Sequence, residues 1–125
     1  MKRLTREWTR KAEADYRLAE KLVDENESFH DQVCFHCQQA AEKYLKALLQ
    51  ELGIGVPRTH LLDDLATLLA PHHAEMRSLR RGAKFLTRFA VGTRYPGASA
   101  NRRQAEAALR QAERVRKTAR RLLGL

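Results

Sequence analysis

Helical periodicity runs through nearly the whole chain and constrains its fold more than any other feature. Apolar residues recur at three- and four-residue steps in five segments, at about 5–26, 29–52, 60–70, 73–89 and 100–123. The apolar face of the first segment comprises Trp8, Ala12, Ala19, Leu22 and Val23. Pro57, Pro71 and Pro96, the three prolines, lie in the connections between segments, and no β-branched run alternates with period two. The sequence therefore predicts an all-α fold, a helical bundle.

Charge is distributed unevenly along the 125 residues, which we expect to form a single domain over 1–125. Residues 1–75 carry 10 basic and 13 acidic side chains, whereas residues 76–125 carry 14 basic and 2 acidic ones. Arginine supplies 17 of the 24 positive charges, and its planar guanidinium suits phosphate. This pattern indicates either a polyanionic or acidic partner bound around residues 77–121, or an arginine-rich helix that is merely solvated.

No stretch approaches the roughly 18 uninterrupted apolar residues of a membrane span, and the charged start leads into no apolar signal segment. We therefore expect a soluble cytoplasmic protein without a membrane partner.

The segment Cys34-Phe35-His36-Cys37 allows two chemical interpretations, a redox pair or half of a zinc site. A redox pair of this spacing needs a strand before the helix, and the remaining histidines lack the spacing of zinc ligands. We therefore predict two buried core cysteines, with no metal and no cofactor. Phosphate-loop, dinucleotide-binding and hydrolase signatures are also absent.

Three segments together resemble the HEPN family of nucleotide-binding helical domains. The string Gln38-Gln39-Ala40-Ala41-Glu42-Lys43-Tyr44-Leu45-Lys46-Ala47-Leu48-Leu49 is similar to the signature of the family's second helix. Thr59-His60-Leu61 resembles the start of its short helix, and Thr93-Arg94-Tyr95-Pro96 resembles the turn before its last helix. The resemblance implies an up-and-down bundle of four long helices plus one short helix, usually a homodimer. It also implies a minimal nucleotidyltransferase as partner, in a toxin–antitoxin-like pair.

Some members of the HEPN family are metal-independent ribonucleases that use an arginine followed, after four to six residues, by a histidine. The histidine transfers a proton and the arginine stabilises phosphate charge. Counted from Arg94, that histidine would lie at position 99, 100 or 101, where this chain has Ser99, Ala100 and Asn101. No catalytic residue is therefore assigned, and the protein is expected to bind rather than to cleave.

The residues expected to bind a nucleotide or phosphate are Arg94, Tyr95, His60, Asn101 and Arg88. Arg94 and Tyr95 precede a helix N-terminus, where amides and the helix dipole favour an anion and a phenol can stack on a base. The structural alternative pairs Arg94 with a carboxylate such as Asp15 or Glu42. Two other functions stay open: a ribonuclease using Arg94 and His60, and a structural dimerisation bundle with Trp8 or Phe35 in its interface.

Overall fold

The computed structural model describes all 125 residues and contains five α-helices and no strand. The helices are α1 (Arg3–Leu22), α2 (His30–Glu51), α3 (Leu62–Leu69), α4 (Met76–Thr87) and α5 (Arg102–Leu122), with one 3-10 turn at Gly92–Arg94. This confirms the all-α fold, with α3 as the short helix. None of the helices combines the length and apolar character that crossing a membrane requires.

The direction of each helix follows from the side chains that it shares with its neighbours. Neighbouring pairs α1–α2 and α4–α5 are antiparallel, whereas α2 and α5 run parallel, so the bundle is up-and-down. The contacts that establish these directions are Thr5–Glu51 and Asp15–Lys43 for α1–α2, Ser78–Arg114 and Glu75–Arg121 for α4–α5, and Asp31–Ala100 and Tyr44–Arg120 for α2–α5.

The buried core is a cluster of 26 residues in which α2 is central, since α2 packs against every other helix. Both Cys34 and Cys37 are free thiols with no exposed surface, as predicted. Burial raises the pKa of Cys34 to about 12 and also raises that of Cys37. Neither thiol is therefore available as a thiolate near neutral pH.

The buried face of α1 differs from the predicted one. Its buried residues are Thr5, Thr9, Ala12, Tyr16 and Ala19, at alternating four- and three-residue steps. Trp8, which the periodicity placed on the core face, is only half-buried. Two threonines take part in the core because the Thr9 hydroxyl donates to the Thr5 carbonyl oxygen at 2.8 Å and the Thr5 hydroxyl to Glu51 at 2.9 Å. A hydroxyl satisfied in this way is buried without the cost of a missing hydrogen bond.

Candidate functional site

The connection between α4 and α5 is built from two consecutive turns. The 3-10 turn Gly92–Arg94 is followed by a β-turn in which the Ala98 amide donates to the Tyr95 carbonyl oxygen at 3.4 Å. Pro96 occupies the second position of this β-turn, and Gly97, at φ +92°, occupies the third. That geometry is a type II turn, which requires a positive φ at its third position and therefore favours glycine. The turn explains the glycine that follows Pro96.

Arg94 is the exposed cation of this connection. Its Cζ lies 5.7 Å from the centroid of the Phe35 ring, within range of a cation–π contact. The two side chains line a cavity of about 290 Å³ together with Asp31, Gln32 and Thr93, and we call these five residues the turn site. No carboxylate lies within ion-pair distance of Arg94, so the pairing with Asp15 or Glu42 is wrong. The guanidinium is oriented by an aromatic ring and remains open to an anion.

Asp15, one of the two carboxylates considered for Arg94, is occupied elsewhere. Its Oδ1 lies 2.8 Å from His36 Nδ1 and its Oδ2 lies 2.5 Å from Lys43 Nζ. These contacts join α1 to α2 along the outer side of their packing surface.

Glu42, the second carboxylate considered for Arg94, is buried and holds His60. Its Oε1 lies 2.8 Å from His60 Nδ1 and accepts from the Gln38 amide at 2.9 Å, while Lys46 Nζ donates to Oε2 at 3.0 Å. Burial raises the pKa of Glu42, but the hydrogen bonds from His60, Gln38 and Lys46 outweigh burial and lower it overall. His60 precedes α3 by two residues instead of lying in its first turn, and its ring is 63% exposed. A buried carboxylate thus orients an exposed imidazole.

Asn101 forms the N-cap of α5. Its side-chain oxygen accepts from the Gln104 amide at 2.8 Å, and the Gln104 side chain accepts from the Asn101 amide at 3.0 Å, which completes a capping box. The preceding Ala100 amide donates to Asp31 at 2.6 Å. Three amides at this helix start, those of Ala100, Asn101 and Gln104, are therefore occupied by protein oxygens.

Tyr95 and Arg88 complete the set of residues expected from the sequence. Tyr95 is 66% exposed and faces solvent, whereas the Arg88 Cζ lies 5.1 and 6.0 Å from the rings of Phe85 and Phe89.

These five residues form two groups along α2. Arg94, Tyr95 and Asn101 belong to the connection near the start of α2, since Arg94 contacts Phe35 and the residue before Asn101 contacts Asp31. His60 contacts Glu42, which lies seven residues after Phe35 and therefore about 10 Å further along the helix. Arg88 follows Thr87, whose hydroxyl accepts the Leu62 amide at 3.0 Å, so the segments bearing His60 and Arg88 are neighbours.

The densest charged cluster, which surrounds Glu13, was not predicted from the sequence. Arg116 donates two hydrogen bonds of 2.7 Å to the Glu13 carboxylate, and the buried Tyr44 hydroxyl donates a third. Arg17 and Arg120 lie 3.3 and 4.0 Å away. The hydrogen bonds from Arg116 lower the pKa of Glu13 to about 2, against the opposing effect of burial. The only sequence signal was the i, i+4 spacing of Glu13 and Arg17, because the other partners are distant in the chain.

The fold and the turn site define a small, up-and-down helical bundle protein with a basic last helix and an arginine-bearing turn before it. The chain belongs to the HEPN family, since the family model described as HEPN domain matches residues 5–122. The resemblance seen in the sequence is thereby confirmed.

Two solved structures are similar to the chain over nearly its whole length. The crystal structure of TT1696 from Thermus thermophilus has a TM-score of 0.79 and 26% identity, covering 94% of this chain and 96% of that chain. The crystal structure of ST0689, an archaeal HEPN homologue, has a TM-score of 0.76 and 29% identity, covering 96% and 97% respectively. No curated protein matches the chain.

Proposed function

We propose that this HEPN protein binds a nucleotide or RNA through the turn site, and that it acts by binding rather than by cleavage. The observation that carries the proposal is the exposed Arg94 guanidinium, held over the Phe35 ring and free of any carboxylate partner. We also propose that the protein is cytoplasmic, as the sequence led us to expect.

The surroundings of Arg94 support a phosphate ligand. Arg102 and Arg103 lie in the first turn of α5, and both are exposed. Tyr95, the next residue in the chain, is 66% exposed, and an arginine followed by an exposed tyrosine allows one side chain to contact phosphate and the other to stack on a base. The acidic residue of the turn site, Asp31, does not pair with Arg94, and its Oδ1 instead accepts a hydrogen bond from the Ala100 amide.

The proposal is tested by the affinity of the purified protein for a fluorescently labelled single-stranded RNA, measured by anisotropy at several salt concentrations. Arg94→Ala is expected to weaken binding about tenfold and to reduce the salt slope by about 1, because it removes one phosphate contact. Arg110→Ala is the matched control, since Arg110 is exposed on α5, carries the same charge and forms no ion pair. Equal effects of the two variants would show that binding depends on overall charge and would refute the turn site.

A ribonuclease is the second candidate, and the contact between Glu42 and His60 favours it. The carboxylate engages Nδ1 of the imidazole and leaves Nε2 toward solvent, an arrangement that suits a general acid–base. The binding proposal predicts that the purified protein leaves a labelled RNA intact. Cleavage that disappears in both His60→Ala and Arg94→Ala would instead establish the ribonuclease.

The homodimer and the minimal nucleotidyltransferase partner are supported by family membership, and they are proposed on that ground. Trp8 and Phe35, the residues expected in a dimer interface, are both half-buried, and Trp8 lies beside exposed Leu4 on α1. Light scattering coupled to gel filtration is expected to give twice the mass of a single chain, which is 14.4 kDa. Co-purification with a nucleotidyltransferase encoded beside its gene is the matching test of the partner.

A further inference from the structure

A second cavity lies between α1 and the end of α5, away from the turn site. It has a volume of about 570 Å³. Four arginines line it, together with Glu13, Thr9 and an apolar wall. We call this cavity the arginine cleft: Arg6, Arg10, Arg17 and Arg120, with Met1, Ala14 and Leu125 as its apolar wall.

The arginines of the cleft come from two helices and converge on one place. Arg6, Arg10 and Arg17 lie at steps of four and seven residues and therefore share one face of α1. Arg120 joins them from the last turn of α5. The distribution of charge along the sequence does not indicate this site, because Arg6, Arg10 and Arg17 belong to residues 1–75, which carry an acidic excess.

Glu13 balances only part of the positive charge of the cleft. Both of its oxygens accept hydrogen bonds of 2.7 Å from Arg116, which is not a lining residue, and Arg17 lies 3.3 Å away. Arg6 and Arg10 form no ion pair at all and are exposed. Arg17 and Arg120 therefore share Glu13 with Arg116, whereas Arg6 and Arg10 have no carboxylate partner. The repulsion among the four guanidinium groups decreases when an anion binds.

From this arrangement we infer that the arginine cleft is a second anion-binding site, which takes a small molecule bearing a di- or triphosphate group. Arginine forks bind phosphate oxygens in pairs, and a di- or triphosphate offers enough oxygens to engage Arg6 and Arg10 together with Arg120 of the second helix. The apolar wall accommodates an uncharged part of such a molecule.

The arginine cleft is independent of the turn site. Thr5 and Glu13, on the same helix as the cleft, contact Glu51 and Tyr44 of α2, whereas Arg94 contacts Phe35. Tyr44 and Glu51 lie about 13 and 24 Å from Phe35 along α2, at 1.5 Å per residue. A ligand of the cleft therefore does not compete with one at the turn site.

The test is calorimetric titration of the full chain with inorganic triphosphate at moderate salt. Binding to one site per chain is expected, and Arg10→Ala should weaken it at least about tenfold, the usual effect of removing one charge-assisted hydrogen bond. Arg10 makes no contact that the fold requires, so this variant is expected to remain folded. Arg110→Ala again serves as the control of equal charge and should leave the affinity within about twofold of wild type.

Three results would overturn the inference. The first is that inorganic triphosphate fails to bind the wild-type protein. The second is that Arg10→Ala and Arg110→Ala weaken binding equally. The third is that Arg94→Ala abolishes triphosphate binding while Arg10→Ala leaves it intact. A parallel titration with the single-stranded RNA separates the two sites: its affinity should fall in Arg94→Ala and not in Arg10→Ala. RNA that responds to Arg10→Ala while triphosphate does not would assign the cleft to a nucleic-acid strand instead.

Discussion

Glu13 joins three helices through one carboxylate, so its replacement should destabilise the fold and remove part of its pH dependence. The carboxylate is 17% exposed and accepts hydrogen bonds from Arg116 and the Tyr44 hydroxyl. Lowering the pKa of Glu13 from 4.5 to about 2 corresponds to a stabilisation of the folded protein by about 3.4 kcal/mol, at 1.36 kcal/mol per pH unit. Since solvent reaches part of the cluster, we expect about 2–3 kcal/mol for the charge of Glu13 in the folded protein.

The sign of the pH dependence follows from the direction of that change. Because the pKa of Glu13 is lower in the folded than in the unfolded chain, its stabilisation is fully present above about pH 4.5 and is lost as the pH falls toward 2. At about pH 3, less than half of this stabilisation remains, by the linkage between proton binding and folding. The measurement is the free energy of unfolding in urea, for wild type and Glu13→Gln, at several values between about pH 3 and pH 7.

Glu13→Gln keeps the shape of the side chain and removes its charge, so its cost should be about 2–3 kcal/mol at neutral pH and should shrink by about half near pH 3. Glu20→Gln is the control, because Glu20 is exposed on the same helix and forms no ion pair. A cost below about 0.5 kcal/mol, or one that is constant across the pH range, would contradict the assignment of Glu13 as a charged centre of the fold.

Three further predictions concern local features of the fold. Asn101→Ala should lower the free energy of unfolding in urea by about 1 kcal/mol through loss of the capping box, whereas exposed Ser99→Ala should have little effect. Gly97→Ala should cost about 1 kcal/mol in the same assay, because alanine is strained at φ +92°. Cys34 and Cys37 should react with a thiol reagent only when the protein unfolds, and rapid reaction of the native protein would show that they are not buried.

Helical periodicity was sufficient to predict the fold class because the core uses aliphatic side chains at regular steps on most helices. It failed on α1, where the core face includes Thr5, Thr9 and Tyr16. Hydropathy treats a threonine as polar, yet a hydroxyl that donates to a carbonyl one turn earlier packs in the core. The half-buried Trp8 was assigned to the core face instead.

Local sequence was informative about the connection before α5 and uninformative about the charged clusters. Arg94, Tyr95 and Asn101 lie within eight residues of one another, so their neighbourhood was visible in the chain. Glu13 and Arg116 are 103 residues apart, and their contact depends on the antiparallel packing of α1 and α5. Net charge counted over each half of the chain averages away a cluster assembled in this way.

The capping role of Asn101 bears on the choice between the two proposed functions, binding and cleavage. Position 101 is the only one of the three allowed by the family's ribonuclease spacing that begins a helix, since α5 has Asn101 as its N-cap. The side chain there accepts the Gln104 amide, a role in which asparagine is among the best residues. A histidine at this position would have to keep a ring nitrogen free for proton transfer, and α5 would then lose a cap worth about 1 kcal/mol. In this chain the side chain at position 101 stabilises the last helix, and Arg94, seven residues earlier, is oriented by the Phe35 ring, an arrangement that agrees with the proposed phosphate binding.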